Sequence, residues 1–134
     1  MADTIELEIV TPERLVVKDR AEEIQIPGRS GYLGVLPGHA PLITELAVGE
    51  IIYKNAGVST RLSVAWGFAE VLPDKVTILA ETAELAEDID VPRAEAARER
   101  AEQHIRQAED GAAYEEAATA LARAEARLAV AKQK

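Results

Sequence analysis

The sequence contains no cysteine, a single methionine and few aromatic residues, which make up 4% of its 134 positions. Without cysteine, the chain can form no disulfide, no thiolate nucleophile and no cysteine-based metal site. No stretch approaches the roughly 20 apolar residues of a membrane-spanning helix, and the opening stretch MADTIELEIV lacks the segments of a signal peptide. We therefore expect a soluble or peripheral chain. Its net charge of −9 argues against binding to nucleic acid, which requires a basic surface.

The chain also lacks the residue patterns of common enzymes and nucleotide-binding loops. There is no Walker-type GKS or GKT sequence, and the glycines of GRSGYLG do not have the spacing of a dinucleotide-binding loop. His39 and His104 have no partners at metal-ligand spacing beyond what chance would give. Ser30, Ser59 and Ser63 have no obvious general base. The sequence therefore predicts no catalytic residue, no metal site and no prosthetic group.

In the first part of the chain, from residue 4 to about 81, apolar and polar residues alternate with the period of a β-strand. Turn signals rich in proline and glycine separate these runs too closely for crossover helices, so an antiparallel sandwich or barrel is predicted. In TIELEIV the predicted inner face consists of Ile5, Leu7 and Ile9. In RLSVAWGF one predicted face consists of Leu62, Val64, Trp66 and Phe68. We place strands near residues 4–10, 14–18, 21–27, 32–36, 42–46, 50–54, 58–64, 66–72 and 75–81.

The second part of the chain is rich in alanine, glutamate and arginine, which are strong helix formers. We predict two antiparallel helices near 91–108 and 112–131, separated by EDGAA, whose glycine stands where a helix ends. The predicted fold class is therefore α+β, with an N-terminal antiparallel β-sandwich over residues 1–85 and a C-terminal helical hairpin over 86–134. Since the facing stripes are mostly alanine, which buries little apolar area, the hairpin should be weakly held. It is either a solubilising appendage or an element that detaches and packs elsewhere.

Two stretches carry candidate binding residues. PGRSGYLGVLPGHAPLITELAVG concentrates glycine and proline as turn residues do, but such loops also carry contact surfaces, and an exposed Tyr32 beside Leu33 would suit an interface. In EDIDVPRAEAARER, Asp90 is a good N-cap and Pro92 suits a first helical turn. From these residues alone, a structural role and a binding role both remain open at each stretch.

The stretches IQIPGRSG and GVLPGHAPLITEL, followed by IDVPRA and an alanine-rich hairpin, closely resemble the epsilon subunit of bacterial F-type, proton-translocating ATP synthase. The resemblance covers the whole chain and implies a flattened β-sandwich of about ten strands that is not catalytic. It implies a rotating central-stalk subunit that binds the gamma subunit and the c-ring, peripheral to the cytoplasmic face of the membrane and attached only through the complex. The resemblance also implies that the hairpin folds against the sandwich or extends towards the alpha and beta subunits, where it inhibits ATP hydrolysis.

The resemblance further implies two sets of functional residues. The region from Arg29 to His39 should meet the c-ring, with Arg29, Tyr32 and His39 as contact residues, although the family often has an acidic residue at Tyr32. IDVPRA matches the family's Ile-Asp-x-x-Arg-Ala segment, which in several bacterial members belongs to a site for ATP as a regulatory ligand. The matching positions are Glu84, Asp90, Arg93, Arg100, Arg123 and Arg127.

The spacing of these residues is compatible with binding a nucleotide. Arg93 and Arg100 share one helical face, as do Arg123 and Arg127, so the two pairs could converge on a triphosphate. Glu84 and Asp90 could accept hydrogen bonds from the adenine amino group. This would disfavour guanine, which has an oxygen acceptor at that position. An alternative from another class is a free-standing β-sandwich with a helical lid that senses a small molecule.

Overall fold

The computed structural model describes residues 3–132, which form eight strands, a 3₁₀ turn and two helices. The strands are β1 (Ile5–Val10), β2 (Leu15–Ala21), β3 (Glu23–Gly28), β4 (Gly31–Val35), β5 (Leu42–Leu46), β6 (Gly49–Asn55), β7 (Val58–Val71) and β8 (Lys75–Leu85). The 3₁₀ turn (Ala86–Asp88) leads into α1 (Val91–Gln107) and α2 (Gly111–Ala131). The predicted order of a β-rich part followed by a helical hairpin is confirmed.

The strands form a sheet in the order β2-β1-β8-β7-β5-β3-β4, and β6 pairs with both β3 and β7. The first half of β7 pairs with β6 and its second half with β5, so this strand serves both layers of the sandwich. Eight strands are described where the resemblance implies about ten and the alternation predicts nine. The difference from nine arises because residues Val58–Val71 form one continuous strand. All neighbouring strands are antiparallel except β1 and β8, which run parallel. The expectation of purely antiparallel pairing is wrong for this pair. The strands β2 to β7 lie between β1 and β8 in the chain, so the two can run parallel without a crossover helix.

The core lies between the two layers and consists mainly of β-branched and leucine side chains. The alternation predicted for β1 is confirmed, because Ile5, Leu7 and Ile9 are all 0% exposed. Ile78 on β8 and Leu62 on β7 are equally buried. The sandwich is therefore held by an apolar interior that does not depend on the helices.

The strand β7 differs from its prediction, because the segments expected near 58–64 and 66–72 form one strand. Trp66 has a φ of 56° and Gly67 a φ of 128°, so the backbone passes through left-handed conformations between the two halves. The register with β8 is nevertheless the same on both sides of this point. A Cβ atom at Gly67 would lie 1.9 Å from the carbonyl oxygen of Leu79, so only glycine fits there.

The left-handed residues also change which side chains of β7 point inward. Leu62 and Val64 are buried before the bend, and the buried positions after it include Ala69 and Val71. The prediction that Trp66 and Phe68 share a face with the buried Leu62 and Val64 is wrong. The two aromatic side chains are 40% and 53% exposed. Their exposure adds apolar area to the outer surface of the sandwich.

Both helices begin at an aspartate that caps their first turn. The Asp90 carboxylate accepts a hydrogen bond from the backbone N–H of Arg93 at 3.1 Å, and the Asp110 carboxylate accepts one from the N–H of Ala113 at 2.7 Å. The predicted N-cap role of Asp90 is confirmed, and both helices lie within a residue of their predicted bounds. The expectation that the glycine of EDGAA ends the first helix is wrong. The helix α1 ends at Gln107, and Gly111 is the first residue of α2, directly after the N-cap Asp110.

The hairpin lies folded against the sandwich, and α2 makes the contact. Leu128 and Val130 near the end of α2 are 7% and 0% exposed, where this helix packs against β6 and β7. The helix α1 packs mainly on α2, through buried Ala94 and Ala101. The hairpin is therefore attached to the sandwich chiefly by the last turns of the chain's second helix.

Candidate functional site

A cavity of about 600 Å³ lies between the end of β8, the β1–β2 turn, the 3₁₀ turn and the helices. Five of the six residues predicted to bind ATP line it, namely Glu84, Asp90, Arg93, Arg100 and Arg127. Arg123 is not among the lining residues, although it stands one helical turn before Arg127. The structure thus brings together residues from β8 and both helices that are up to 43 positions apart in the sequence.

Glu84 and Arg127 form an ion pair across the junction of the sandwich and α2. The Nε of Arg127 donates to the Oε1 of Glu84 at 2.6 Å, and both side chains are about 30% exposed. Their predicted roles lie at opposite ends of a nucleotide, with Glu84 at the adenine and Arg127 at the triphosphate, so their direct contact is unexpected. A guanidinium has five N–H groups, so Arg127 can hold Glu84 through Nε and offer its terminal nitrogens to another acceptor.

The cavity also contains residues that sequence reasoning missed. Arg14 and Glu13 of the β1–β2 turn line it, as does Asp88 of the 3₁₀ turn. The Nη2 of Arg14 lies 3.4 Å from the Oδ2 of Asp88. These residues are 74 positions apart, and no local pattern announces their contact. The signal that would have located it is the parallel pairing of β1 with β8, which brings the β1–β2 turn to the end of the sandwich that carries the hairpin.

The charges that line the cavity are nearly balanced. Arginines from the turn and both helices face carboxylates from β8, the β1–β2 turn and the 3₁₀ turn. Of the four arginines that line the cavity, Arg93 and Arg100 form no ion pair with any described residue. Their guanidinium groups can therefore take an anionic ligand without first giving up a carboxylate partner.

The residues predicted to contact a rotor ring lie on a different part of the sandwich. The exposed Arg29 pairs with Glu45 at 2.7 Å. Tyr32 is 60% exposed, as predicted, and its hydroxyl oxygen accepts a hydrogen bond from the backbone N–H of Glu50 at 3.2 Å. The Nδ1 of His39 donates to the carbonyl oxygen of the next residue at 2.6 Å. Arg29 and Tyr32 are therefore exposed to a partner, whereas His39 is half-buried.

Exposed apolar residues form a patch on the outer face of β5, β7 and β8. Phe68 lies directly opposite Leu79 across the β7–β8 pairing, and each is 53% exposed. Ile43 on the neighbouring strand β5 is 69% exposed. We call Ile43, Phe68 and Leu79 the outer apolar face. Monomeric proteins rarely leave large apolar patches in water, so this face is a candidate contact surface.

The described residues show neither a metal-binding cluster nor a membrane-spanning helix. Among residues 3–132 no cluster of three histidine or acidic side chains is arranged to hold a metal ion. No helix in the same range combines the length and apolar character that crossing a bilayer requires.

Family models match nearly the whole chain. Residues 4–86 match the beta-sandwich domain of the ATP synthase Delta/Epsilon chain, and residues 87–132 match its long alpha-helix domain. An ATP synthase epsilon chain from Solibacter usitatus is 49% identical over 134 residues, which is 100% of both chains. One from Koribacter versatilis is 69% identical over 105 residues, covering 78% of this chain and 74% of the relative.

Solved structures give the same result. A chain in the mitochondrial ATP synthase of Euglena gracilis, solved as OSCP, F1 and c-ring, matches with a TM-score of 0.83 and 26% identity. The match covers 98% of this chain and 83% of that one. A chain in the central stalk and c-ring of the Tetrahymena thermophila enzyme matches with a TM-score of 0.59 and 13% identity, over 95% and 96% of the two chains, and shares the fold. These comparisons favour the ATP synthase hypothesis over a free-standing sensor.

Proposed function

Since this chain belongs to the delta/epsilon family of ATP synthase subunits and is a non-catalytic epsilon subunit, we propose that it couples the gamma subunit to the c-ring and regulates ATP hydrolysis through its hairpin. It works in the rotating central stalk, peripheral to the cytoplasmic face of a bacterial membrane, and touches the membrane only through the complex. The similar chain from Euglena gracilis, solved together with F1 and c-ring, supports the association with such a complex.

The gamma subunit covers the outer apolar face. This proposal is supported by the contiguity of Phe68 and Leu79, which stand opposite each other and are each 53% exposed in the isolated chain. Replacing Phe68 with glutamate places a charge in the contact and should reduce co-purification with gamma. Val58→Glu is the matched control, because Val58 is 65% exposed at the start of β7, outside this face. Equal recovery of gamma with both variants would contradict the proposal.

The c-ring contact involves the region from Arg29 to His39. Support comes from the exposure of Arg29 and Tyr32 together with that of the nearby apolar Leu36, which is 58% exposed. An exposed apolar side chain beside exposed polar ones suits a surface that rests on other chains.

ATP binds in the cavity between the sandwich and the hairpin as a regulatory ligand. The observation that carries this proposal is that five of the six residues suggested by the resemblance line one cavity of about 600 Å³. Arg93 and Arg100 provide donors for the triphosphate, and the carboxylates of Glu84 and Asp90 accept from the adenine amino group. Arg127 orients the Glu84 carboxylate through its Nε. Arg123 is not a lining residue in this arrangement, so it joins the site only through a change of side-chain rotamer.

ATP favours the folded hairpin, because the cavity has walls from both parts of the chain. A ligand shifts a conformational equilibrium only by its difference in affinity between the states. At a concentration about 100 times the dissociation constant, a ligand specific for the folded state adds roughly 2.7 kcal/mol to its stability. Because the hairpin packs largely through alanine, a stabilisation of this size is enough to keep it in the folded, non-inhibiting state.

Isothermal titration of the isolated chain with ATP tests this proposal. Arg93→Ala and Arg127→Ala should each weaken ATP binding sharply. Arg98→Ala is the matched control, because Arg98 lies on the same helix as Arg93, pairs with Glu102 at 3.6 Å and does not line the cavity. No binding heat or spectral change at millimolar ATP would contradict the proposal, as would GTP that binds as tightly as ATP.

A further inference from the structure

We infer that Arg14, in the turn between β1 and β2, is a further phosphate-binding residue of the cavity. The inference rests on the proposed ATP site and assigns to it a cation that belongs to the sandwich. Each of the arginines in the predicted set belongs to a helix, so none of them fixes a phosphate to the sandwich. Arg14 lines the same cavity from the opposite side.

The backbone of Arg14 is fixed to the sandwich. The N–H of Thr11 donates to the Arg14 carbonyl oxygen at 2.9 Å, and the Thr11 hydroxyl donates to the same oxygen at 3.3 Å. Thr11 is itself only 9% exposed. This closed turn involves no residue of the hairpin, so the position of the Arg14 backbone does not depend on where the hairpin lies.

The charge of the sandwich wall makes Arg14 important. Besides Arg14, the ionisable residues that the β1–β2 turn and β8 contribute to the cavity are Glu13, Glu81 and Glu84. A triphosphate placed against these carboxylates would be repelled. Within the described residues, Arg14 is the sandwich side chain of the cavity whose charge offsets this repulsion.

The guanidinium of Arg14 can reach a ligand while keeping its present partner. Its contact with Asp88 is a single one at 3.4 Å from one terminal nitrogen, and the two side chains are 58% and 43% exposed. A long, exposed, one-atom contact of this kind is weak. The other N–H groups of the guanidinium face no carboxylate within salt-bridge distance in the described residues, and phosphate oxygens are strong acceptors for them.

This geometry would make the site depend on the folded state. The helix arginines move with the hairpin when it leaves the sandwich, whereas Arg14 stays behind. A phosphate can contact Arg14 and Arg93 at the same time only when the hairpin is docked on the sandwich. Arg14 therefore contributes to the difference in affinity that lets a nucleotide select the folded state.

The test compares ATP binding to the full chain and to three variants by isothermal titration. Arg14→Ala should bind ATP about tenfold more weakly, the effect of one charged hydrogen bond. Asp88→Asn should bind at least as tightly as the original chain, because it removes a carboxylate that competes for Arg14. Arg20→Ala, which makes the same change of charge on the sandwich outside the cavity and affects a contact with Thr4, should leave binding unchanged.

Two results would overturn the inference while leaving the proposed ATP site intact. One is Arg14→Ala binding ATP as tightly as the original chain. The other is Asp88→Asn losing as much affinity as Arg14→Ala, because Arg14 would then act only through the ion pair that ties the turn to the hairpin. Failure of the original chain to bind ATP would instead contradict the proposed function, and the inference with it. Thermal melts of all variants exclude unfolding as the cause of a loss.

Discussion

Arg127 near the end of α2 donates through its Nε to the carboxylate of Glu84 on β8 at 2.6 Å, which ties the second helix to the sandwich. The pair is partly exposed, so its net contribution to the free energy of unfolding should be roughly 0.2–1 kcal/mol. A double-mutant cycle with Arg127→Ala and Glu84→Ala, measured by urea unfolding, should give a coupling energy of this size. A coupling energy near zero would mean that the contact holds nothing in solution.

The sandwich and the hairpin should differ in their ability to fold alone. A fragment that ends at Glu87 retains the buried core of Ile5, Leu7 and Ile9 and should fold as a β-rich domain. A fragment that starts at Asp88 should be a marginal, monomeric helix, because its alanine contacts bury little area and short isolated helices are marginal in water. Circular dichroism of both fragments measures this, and a strongly cooperative melt of the helical fragment would contradict it.

Replacing Tyr32 with lysine should alter coupling to the rotor without unfolding the sandwich. Tyr32 is 60% exposed and anchors only its hydroxyl, to the backbone of Glu50, so a charge there is tolerated in the isolated chain. ATP-driven proton pumping by the reconstituted complex and the thermal melt of the isolated variant are the two measurements. Tyr114→Lys is the control, since Tyr114 is 53% exposed on α2, away from this region. A collapsed fold in Tyr32→Lys would remove Tyr32 from the predicted interface.

Substituting Gly67 with alanine should destabilise the sandwich by roughly 3 kcal/mol or more. The new Cβ would lie 1.9 Å from the carbonyl oxygen of Leu79, and the φ of 128° is already strained for any other residue. Gly34→Ala is the matched control, because a Cβ at Gly34 meets no atom within 4 Å and its φ is not positive. The urea midpoints of the two variants should separate clearly, and similar midpoints would show that β7 can relax at the bend.

Ala56→Asn should stabilise the chain by about 0.5–1 kcal/mol. Ala56 and Gly57 form the two-residue turn between β6 and β7, with φ values of 52° and 80°, and asparagine tolerates this left-handed conformation better than alanine. Its backbone N–H donates to Glu22 at 2.7 Å, and the substitution keeps that bond. Ala122→Gly on the exposed side of α2 is a contrasting control that should destabilise the helix. A lower urea midpoint for Ala56→Asn would disprove the argument.

Much of the fold could be predicted because its signals are local. The alternation of Ile5, Leu7 and Ile9 depends only on the period of a strand, and the cap at Asp90 depends only on the first turn of a helix. The bend at Trp66 and Gly67 was missed because the alternation in RLSVAWGF is the same whether or not two residues adopt a left-handed backbone conformation. The parallel pairing of β1 with β8 was missed because pairing between distant strands leaves no periodic mark.

The candidate site divides in the same way. Five of the residues that line the cavity were named in advance because they match the ATP-site positions of the family that the sequence resembles. Arg14 could not be predicted, since its approach to Asp88 depends on a turn 74 positions away. The direct pairing of Glu84 with Arg127 depends on the distance between α2 and β8. The periodicity of apolar residues along the helix does not predict that distance.

The parallel pairing of the first strand with the last also bears on the order of folding. β1 finds one of its two neighbours only after β8 has left the ribosome, so the sandwich has a high contact order and must close a long loop before its core is complete. The hairpin is local in the sequence and is synthesised after that, but its docking surface on β6 and β7 exists only in the finished sandwich. The helical hairpin is therefore the last part of the chain to reach its folded position, and its docking adds a step to folding that a truncated sandwich would not need.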